Sequence, residues 1–239
     1  MIQLPQLAPD APDRFPDPRS ALAEPNGLLA FGGDLSPQRL LAAYSLGIFP
    51  WFSQGEPILW WSPDPRCVFR TDDLKINRSL RRQLAGKPWR LTVDHAFEQV
   101  IRACAAPRTN ESGTWILPAM IDAYVALHRL GHAHSVEVWE DERLVGGIYG
   151  VRVGRLFCGE SMFSAQSGGS KIALVALAQL LRTLEFPLID AQVANAHTLG
   201  LGAVEISRTE FLRDANRLVR LPSPAGNWAG FTGQLLQPS

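Results

Sequence analysis

The chain reads as an α+β fold, a mixed sheet flanked by helices with a small α+β unit ahead of it, and three observations predict this. Residues 133–164 form a meander: SVEVWE, LVGGIYGVRV and LFCGESMFS are separated by turns at Asp141-Glu142-Arg143 and Gly154-Arg155. A Gly-rich turn then opens a long apolar stretch, Lys171 to Glu185, with Ile172, Val175, Leu180, Leu181 and Leu184 placed for a largely buried helix. Leu188 to Val193 follows as the next strand, so strands lie on both sides of a helix.

The remaining elements are taken in chain order. Residues 1 to 26 carry six prolines and little periodicity, which predicts an extended lead-in. Ser36 as N-cap, Pro37 at the first helical position and Gly47 after Tyr44 bracket a short helix carrying Leu40, Leu41 and Tyr44. An aromatic cluster follows, Phe49, Trp51, Phe52, Trp60 and Trp61, closed by the turn Ser62-Pro63-Asp64-Pro65. That turn is the expected boundary between a small first domain, 1–65, and a larger one, 66–239. Asp94 is expected to cap a helix with Phe97, Val100, Ile101 and Cys104 on one face. Pro118 to Leu130, closed by Gly131, gives another. The last helix opens at Ser207, with Glu210 completing a capping box, and runs through Phe211, Leu212, Ala215, Leu218 and Val219. Beyond Leu221 the sequence is Pro/Gly-rich and aperiodic, so 222–239 is expected to be a mobile tail.

Composition bounds the function. In 239 residues, 46% hydrophobic and 19% charged content is that of an ordinary globular protein with a sizeable core. Lys plus Arg and Asp plus Glu balance at 23 each, so no global field draws in nucleic acid and any RNA contact must be local. Such a locality exists. From Leu74 to Val93 there is no acid, but there are Lys75, Arg78, Arg81, Arg82, Lys87 and Arg90. On charge alone these read equally as a solvated helix face or as a phosphate-binding surface. Cys67, Cys104 and Cys158 are odd in number and widely spaced, with no C-x-x-C, which points to neither a disulfide framework nor zinc and fits a reducing cytoplasm. No stretch has the ~18 apolar residues of a membrane span, and no secretory leader pattern is present.

Polar residues in apolar strands are the candidate chemistry. Alternation along Leu188–Val193 puts Asp190 and Gln192 on one face, with Glu160 a third such group one helix earlier. On sequence alone they read either as a satisfied buried network or as a reaction centre. His132 and His134 share a strand face without a third ligand nearby, so a structural role is favoured and no metal is expected. No G-x-S-x-G occurs, which argues against a Ser-His-Asp hydrolase. A meander, a Gly-rich turn opening a helix and a further strand is the order of the acyl-CoA N-acyltransferases, which hold a pyrophosphate at that helix N-terminus through Q/R-x-x-G-x-G/A. Gln166-Ser167-Gly168-Gly169-Ser170-Lys171 fits at the first and fourth positions, but Lys171 replaces the small sixth residue. The expectation is therefore that fold with its cofactor site lost. The glycines read equally as mere shapers of a turn.

The segments GDLSPQRLLAAYSLGIFPWF, WWSPDPR, GTWI, GHAHSVEVWE, LVGGIYG, FCGESMFS and LIDAQVANAHTLGLGA, in this order from about Phe15 to Val219, resemble the bacterial leucyl/phenylalanyl-tRNA–protein transferases. The resemblance implies an N-acyltransferase-like fold that works without CoA. It implies transfer of Leu or Phe, and more weakly Met, from aminoacyl-tRNA to the α-amino group of proteins beginning with Arg or Lys, marking them for N-degron degradation. No cofactor, metal, membrane or DNA partner is implied. Asp190 and Gln192 would be catalytic. Glu160, Ser161, Met162, Ile148 and Asn195 would bind substrate, with Tyr44, Trp51, Trp115 and Tyr124 around the aminoacyl-adenosine end. Lys75, Arg78, Arg81, Arg82 and Lys87 would meet tRNA phosphates. The sequence departs from the family at Ile148, where a methionine is usual. The alternatives are a CoA-dependent N-acetyltransferase of the same fold and a non-catalytic tRNA-binding protein.

Overall fold

The computed structural model describes residues 4–75, 89–106 and 114–234. Arg78, Arg81, Arg82 and Lys87 lie outside them. A four-stranded sheet contains β1 (Gln6–Leu7), β2 (Leu28–Gly32), β3 (Phe49–Pro50) and β4 (Leu59–Trp61) in the order β1-β2-β4-β3. Helix α1 (Pro37–Ser45) lies between β2 and β3 in sequence, and Ser36 caps it by accepting the Arg39 N–H. The second sheet comprises β5 (Arg66–Arg70), β6 (Arg90–Val93), β7 (Ala133–Glu140), β8 (Arg143–Val153), β9 (Leu156–Ser164), β10 (Leu188–Gln192) and β11 (Val204–Ile206). Their order is β11-β5-β10-β9-β8-β7-β6, and among the described residues β9–β10 is its one parallel pair. The helices are α2 (Phe97–Ala105), α3 (Pro118–Arg129), α4 (Gly169–Thr183), α5 (Ala196–Gly200) and α6 (Arg208–Leu218). The architecture is therefore mixed α+β.

Strand alternation divides the core between the two faces of the large sheet. Val68, Tyr149, Val151, Cys158 and Leu188 pack with α1, α2, α3, α6 and the small sheet. Their neighbours Cys67, Phe69, Ile148, Phe157 and Ile189 pack with α4 and Trp228. The parallel pair has α4 as its crossover. Gly168, at φ 95, starts that helix, and Gly169 lies so close to β8 that a Cβ there would stand 2.5 Å from the Val145 carbonyl oxygen. A Cβ on Gly146 would likewise stand 2.5 Å from the Gly169 backbone. These glycines let a helix end touch a strand.

One expectation is corrected. Asp94 does not cap α2, whose N-cap is Ala96 with no side-chain bond. It sits instead at φ 55, buried, and its carboxylate accepts the N–H groups of Ser135 and Trp228 while pairing with His134 Nδ1. The same carboxylate meets the segment after Leu221: Trp228 is fully buried and stacks on the His134 ring at 3.7 Å, with the 3₁₀ turn Ala229–Gln234 following.

Candidate active site

The site begins where the parallel strands separate. β9 and β10 are in register at Ile189↔Phe157 and Asp190↔Cys158, and the pairing ends there. Beyond it the strands splay around a cleft of about 1140 Å³, lined from β9 by Gly159 to Ser164 and from the other side by Ile189, Ala191 and Asn195 to Thr198. Each strand carries a bulge at the opening. On β9 the register against β8 steps from Tyr149↔Ser161 to Gly150↔Gly159, leaving Glu160 as the extra residue. On β10 the register against β5 steps from Asp190↔Val68 to Gln192↔Cys67, leaving Ala191. Bulges of this kind re-aim side chains beside active sites. Gln192 adopts φ 62, a left-handed conformation seldom taken by a residue with a side chain.

At the bulges Glu160 and Gln192 join two tyrosines in one network of four side chains. Gln192 Nε2 donates to Glu160 Oε1 at 2.9 Å, and the Tyr124 hydroxyl donates to Glu160 Oε2 at 2.9 Å. The Tyr44 and Tyr124 hydroxyls bond each other. Burial pushes the Glu160 carboxyl up to about 7, against the Tyr44 and Tyr124 hydroxyls and the Gln192 amide, which favour its charged form; the neighbouring Asp190 charge pushes the same way as burial. Burial and the Glu160 charge hold the protons of Tyr44, Tyr124 and Tyr149 well above the ordinary phenol range.

Asp190 takes another partner. Arg66, at the start of β5, forks onto it with Nε to Oδ1 at 2.8 Å and Nη2 to Oδ2 at 2.7 Å, both side chains only 1% exposed. The remaining Arg66 nitrogen, Nη1, donates to the Gly47 carbonyl at 3.1 Å. Its Cζ lies 4.9 Å from the Phe49 ring centroid and 4.4 Å from that of Phe211. Asp190 Oδ1 also accepts the Gln192 backbone N–H at 2.9 Å. Asp190 thus acts on Gln192 through the main chain, and Arg66 holds Asp190. Sequence reasoning missed Arg66. Part of the signal was available: the acid in LIDAQV needs a counter-charge if its strand is buried, and the apolar strand RCVFR carries a cation at each end, of which Arg70 is exposed.

The other expected residues divide. Ile148, Ser161, Met162, Trp115 and Asn195 line the cleft, with Ile148 directly opposite Met162 on the neighbouring strand. Asn195 also caps α5 in a reciprocal box with Thr198. Tyr44 and Tyr124 are at most 1% exposed, so they offer no free face to a base and instead stand behind Glu160. Trp51, 45% exposed, packs on Trp61 at 5.7 Å and is not part of the cleft wall. Lys75 is exposed, with its N–H on the Leu201 carbonyl.

Similarity to known proteins extends over most of the chain. The family model described as leucyl/phenylalanyl-tRNA protein transferase matches residues 68–216, and the model for its N-terminal domain matches residues 33–64. The leucyl/phenylalanyl-tRNA–protein transferase of Xanthomonas euvesicatoria pv. vesicatoria is 58% identical over 95% of this chain and 92% of its own length. That of Shewanella woodyi is 54% identical over 91% of this chain and 92% of its own. Among solved structures, a functionally unknown conserved protein from Staphylococcus epidermidis aligns with a TM-score of 0.40 at 11% identity, covering 75% of this chain and 68% of that one. With both its halves matched in order and its length shared with such relatives, the chain belongs to the leucyl/phenylalanyl-tRNA protein transferase family, a family of aminoacyltransferases.

Proposed function

We propose that this protein transfers Leu or Phe, and Met more weakly, from aminoacyl-tRNA to the α-amino group of proteins beginning with Arg or Lys, marking them for degradation in the cytoplasm. The observation that carries the reading is the carboxylate–amide network of Glu160 and Gln192 at the edge of an apolar cleft bearing Ile148, Met162 and Phe163. The apolar wall suits an aliphatic side chain not branched at Cβ, or an aromatic one. The acidic edge suits a cationic N-terminus. An aminoacyl ester is already activated, so what is left to the protein is positioning and handling of charge and proton, and positioning alone supplies up to ~7–11 kcal/mol in well-oriented systems. Asp190 and Gln192 belong to the reaction centre in this reading, Asp190 as holder of the Gln192 backbone and Gln192 as an amide against the attacking amine. Trp115 and the exposed Trp51 supply aromatic faces for the unpaired tRNA end. Lys75 and the basic stretch after it meet phosphates.

The parallel pair inside an otherwise antiparallel sheet, with a Gly-rich crossover, supports an N-acyltransferase-like architecture in which residues 1–65 form a unit of their own. Activity without CoA fits the crowded helix start: Ser164 Oγ already accepts the Ser170 N–H, and Gly169 abuts β8. The test combines the protein with radiolabelled Leu-tRNA and an Arg-starting peptide, without CoA. Labelled peptide is expected. Acetylation of the same peptide from acetyl-CoA in its place would favour an acetyltransferase.

A further inference from the structure

Of the polar side chains gathered at the splayed strands, one is placed to take a proton from a group in the cleft. Asp190 is fully buried and does not line the cleft. Its Oδ1 accepts from Arg66 Nε and the Gln192 N–H, and its Oδ2 accepts from Arg66 Nη2. Gln192 ends in an amide, a very weak base, and its Nε2 is already a donor to Glu160. Glu160 differs on each count. It is an ionisable carboxylate, it lies on the cleft wall, and it stands at a bulge that turns it there. Its bonds to Gln192 and Tyr124 are both accepted, which suits the charged form.

We propose that Glu160 is the proton acceptor for the attacking α-amine, with Tyr124 and Gln192 as its positioning residues. The inference rests on the transferase reading above and deepens it. The neutral amine nitrogen forms the N–C bond to the aminoacyl carbonyl carbon, and one N–H proton passes to Glu160. As the ester C–O bond breaks, its electron pair goes to the ribose oxygen and Glu160 returns the proton to that oxygen. Glu160 ends as it began, and no further reactant is needed.

The surroundings agree. A base is most effective when its proton affinity lies near the working pH, and burial brings the Glu160 carboxyl to about 7. The groups that face it are Tyr44 from α1, Tyr124 from α3, Tyr149 from β8, Cys158 on its own strand, and Asp190 and Gln192 from β10, with Arg66 beyond Asp190. Burial keeps the tyrosines and Cys158 protonated, so they do not compete as bases. His197 is a further titratable residue of the cleft wall.

The deciding measurement is the single-turnover rate of Leu transfer from Leu-tRNA to a saturating Arg-starting peptide between roughly pH 5.5 and 9, a range spanning the carboxyl and an α-amino group near 7.7–8.0. In the wild type the logarithm of the rate should rise with a slope approaching two below the carboxyl's pKa, because amine and carboxylate must both be deprotonated, ease to about one between that pKa and the amine's, and level off above both. Glu160→Gln should slow transfer ~100-fold or more at the upper end and leave a slope of about one below the amine's pKa, levelling off above it, with no steeper limb. Tyr124→Phe should move the steep limb to higher pH, since a hydrogen bond that favours the charged carboxylate is gone. A Glu160→Gln loss under about threefold, or a steep limb that survives in that variant, overturns the proposal. If Glu160→Gln does not fold, the Tyr124→Phe limb decides alone: an unmoved limb sinks the idea. Failure of the wild type to transfer at all would strike the transferase reading instead.

Discussion

Arg66 and Asp190 have little separate meaning, because each is buried and each is the other's counter-charge. Asp190→Ala would strand a buried guanidinium, at a cost of about 3–5 kcal/mol. Urea denaturation should show that loss in Asp190→Ala and in Arg66→Ala. The double variant should lose clearly less than the sum of the two, since neither charge is then left alone. Strict additivity would mean that the fork contributes nothing. Gln192→Ala tests function with less structural damage: if, as proposed, the amide bears on the attacking amine, turnover should fall at least ~tenfold in a folded protein. Wild-type turnover would remove Gln192 from the reaction centre. Asp190, Gln192 and Glu160 were legible in the sequence because acids and amides in apolar strands are anomalous. Where they point was not. The Asp190–Gln192 alternation is interrupted by a bulge, and the tyrosines are buried by packing of α1 and α3 that no local pattern encodes.

The meander and the helices around the seven-stranded sheet follow local period and turn chemistry, and those elements stand close to where the sequence puts them. The order of strands does not. β5 and β11 complete the sheet beside β10 through antiparallel pairs with partners more than 100 residues away in β5–β10, and only tertiary packing selects such pairs. The Gly-rich segments were ambiguous for the same reason: a glycine needed for helix–strand contact looks the same in sequence as one needed for a turn. Gly169→Ala should separate the two roles. Its Cβ would meet the Val145 carbonyl, which cannot rotate away, so about 1–3 kcal/mol should be lost, a fall in Tm of several degrees. An unchanged Tm would show that α4 stands off β8 freely. Glu137 on β7 makes a second element-scale prediction. It is buried among the hydroxyls of Thr92 and Ser135, and burial raises its carboxyl to about 7. The folded state therefore holds a proton that the unfolded state releases nearer pH 4.5. Its contribution is fully present below that lower value and is lost as pH rises through about 7, a change on the order of 3 kcal/mol. Glu160 adds a slope of the same sign. Urea midpoints across this range should flatten in Glu137→Gln by Glu137's share; an equally steep dependence would exclude Glu137 as a source.

At the scale of the whole molecule the charge is zero, with 23 cations against 23 anions, and the proposed donor substrate is a polyanion. Long-range attraction by net charge is therefore absent, and whatever electrostatic affinity exists must arise where cations outnumber acids locally. The run from Lys75 to Arg90 is such a place, with six cations and no acid, although Arg78, Arg81, Arg82 and Lys87 lie outside the described residues. Lys75 fixes where that run begins: its N–H bonds the Leu201 carbonyl, and Leu201 lies just after α5, the helix whose first turn lines the cleft. Lys75, at the start of the run, thus lies beside the segment that follows α5, and in the proposed reading the run meets the acceptor stem behind the aminoacyl end. If about three phosphates are engaged, log affinity for tRNA should fall against log salt with a slope of roughly −2 to −3. Replacing Arg81 and Arg82 by Gln should flatten that slope and weaken Leu-tRNA and Phe-tRNA equally, because phosphate contacts carry no information about the amino acid. Filter binding of both charged tRNAs between about 50 and 200 mM salt gives the slopes. A slope left intact in the double variant would return the run to an ordinary solvated surface; a loss confined to one of the two tRNAs would place it in amino-acid selection instead.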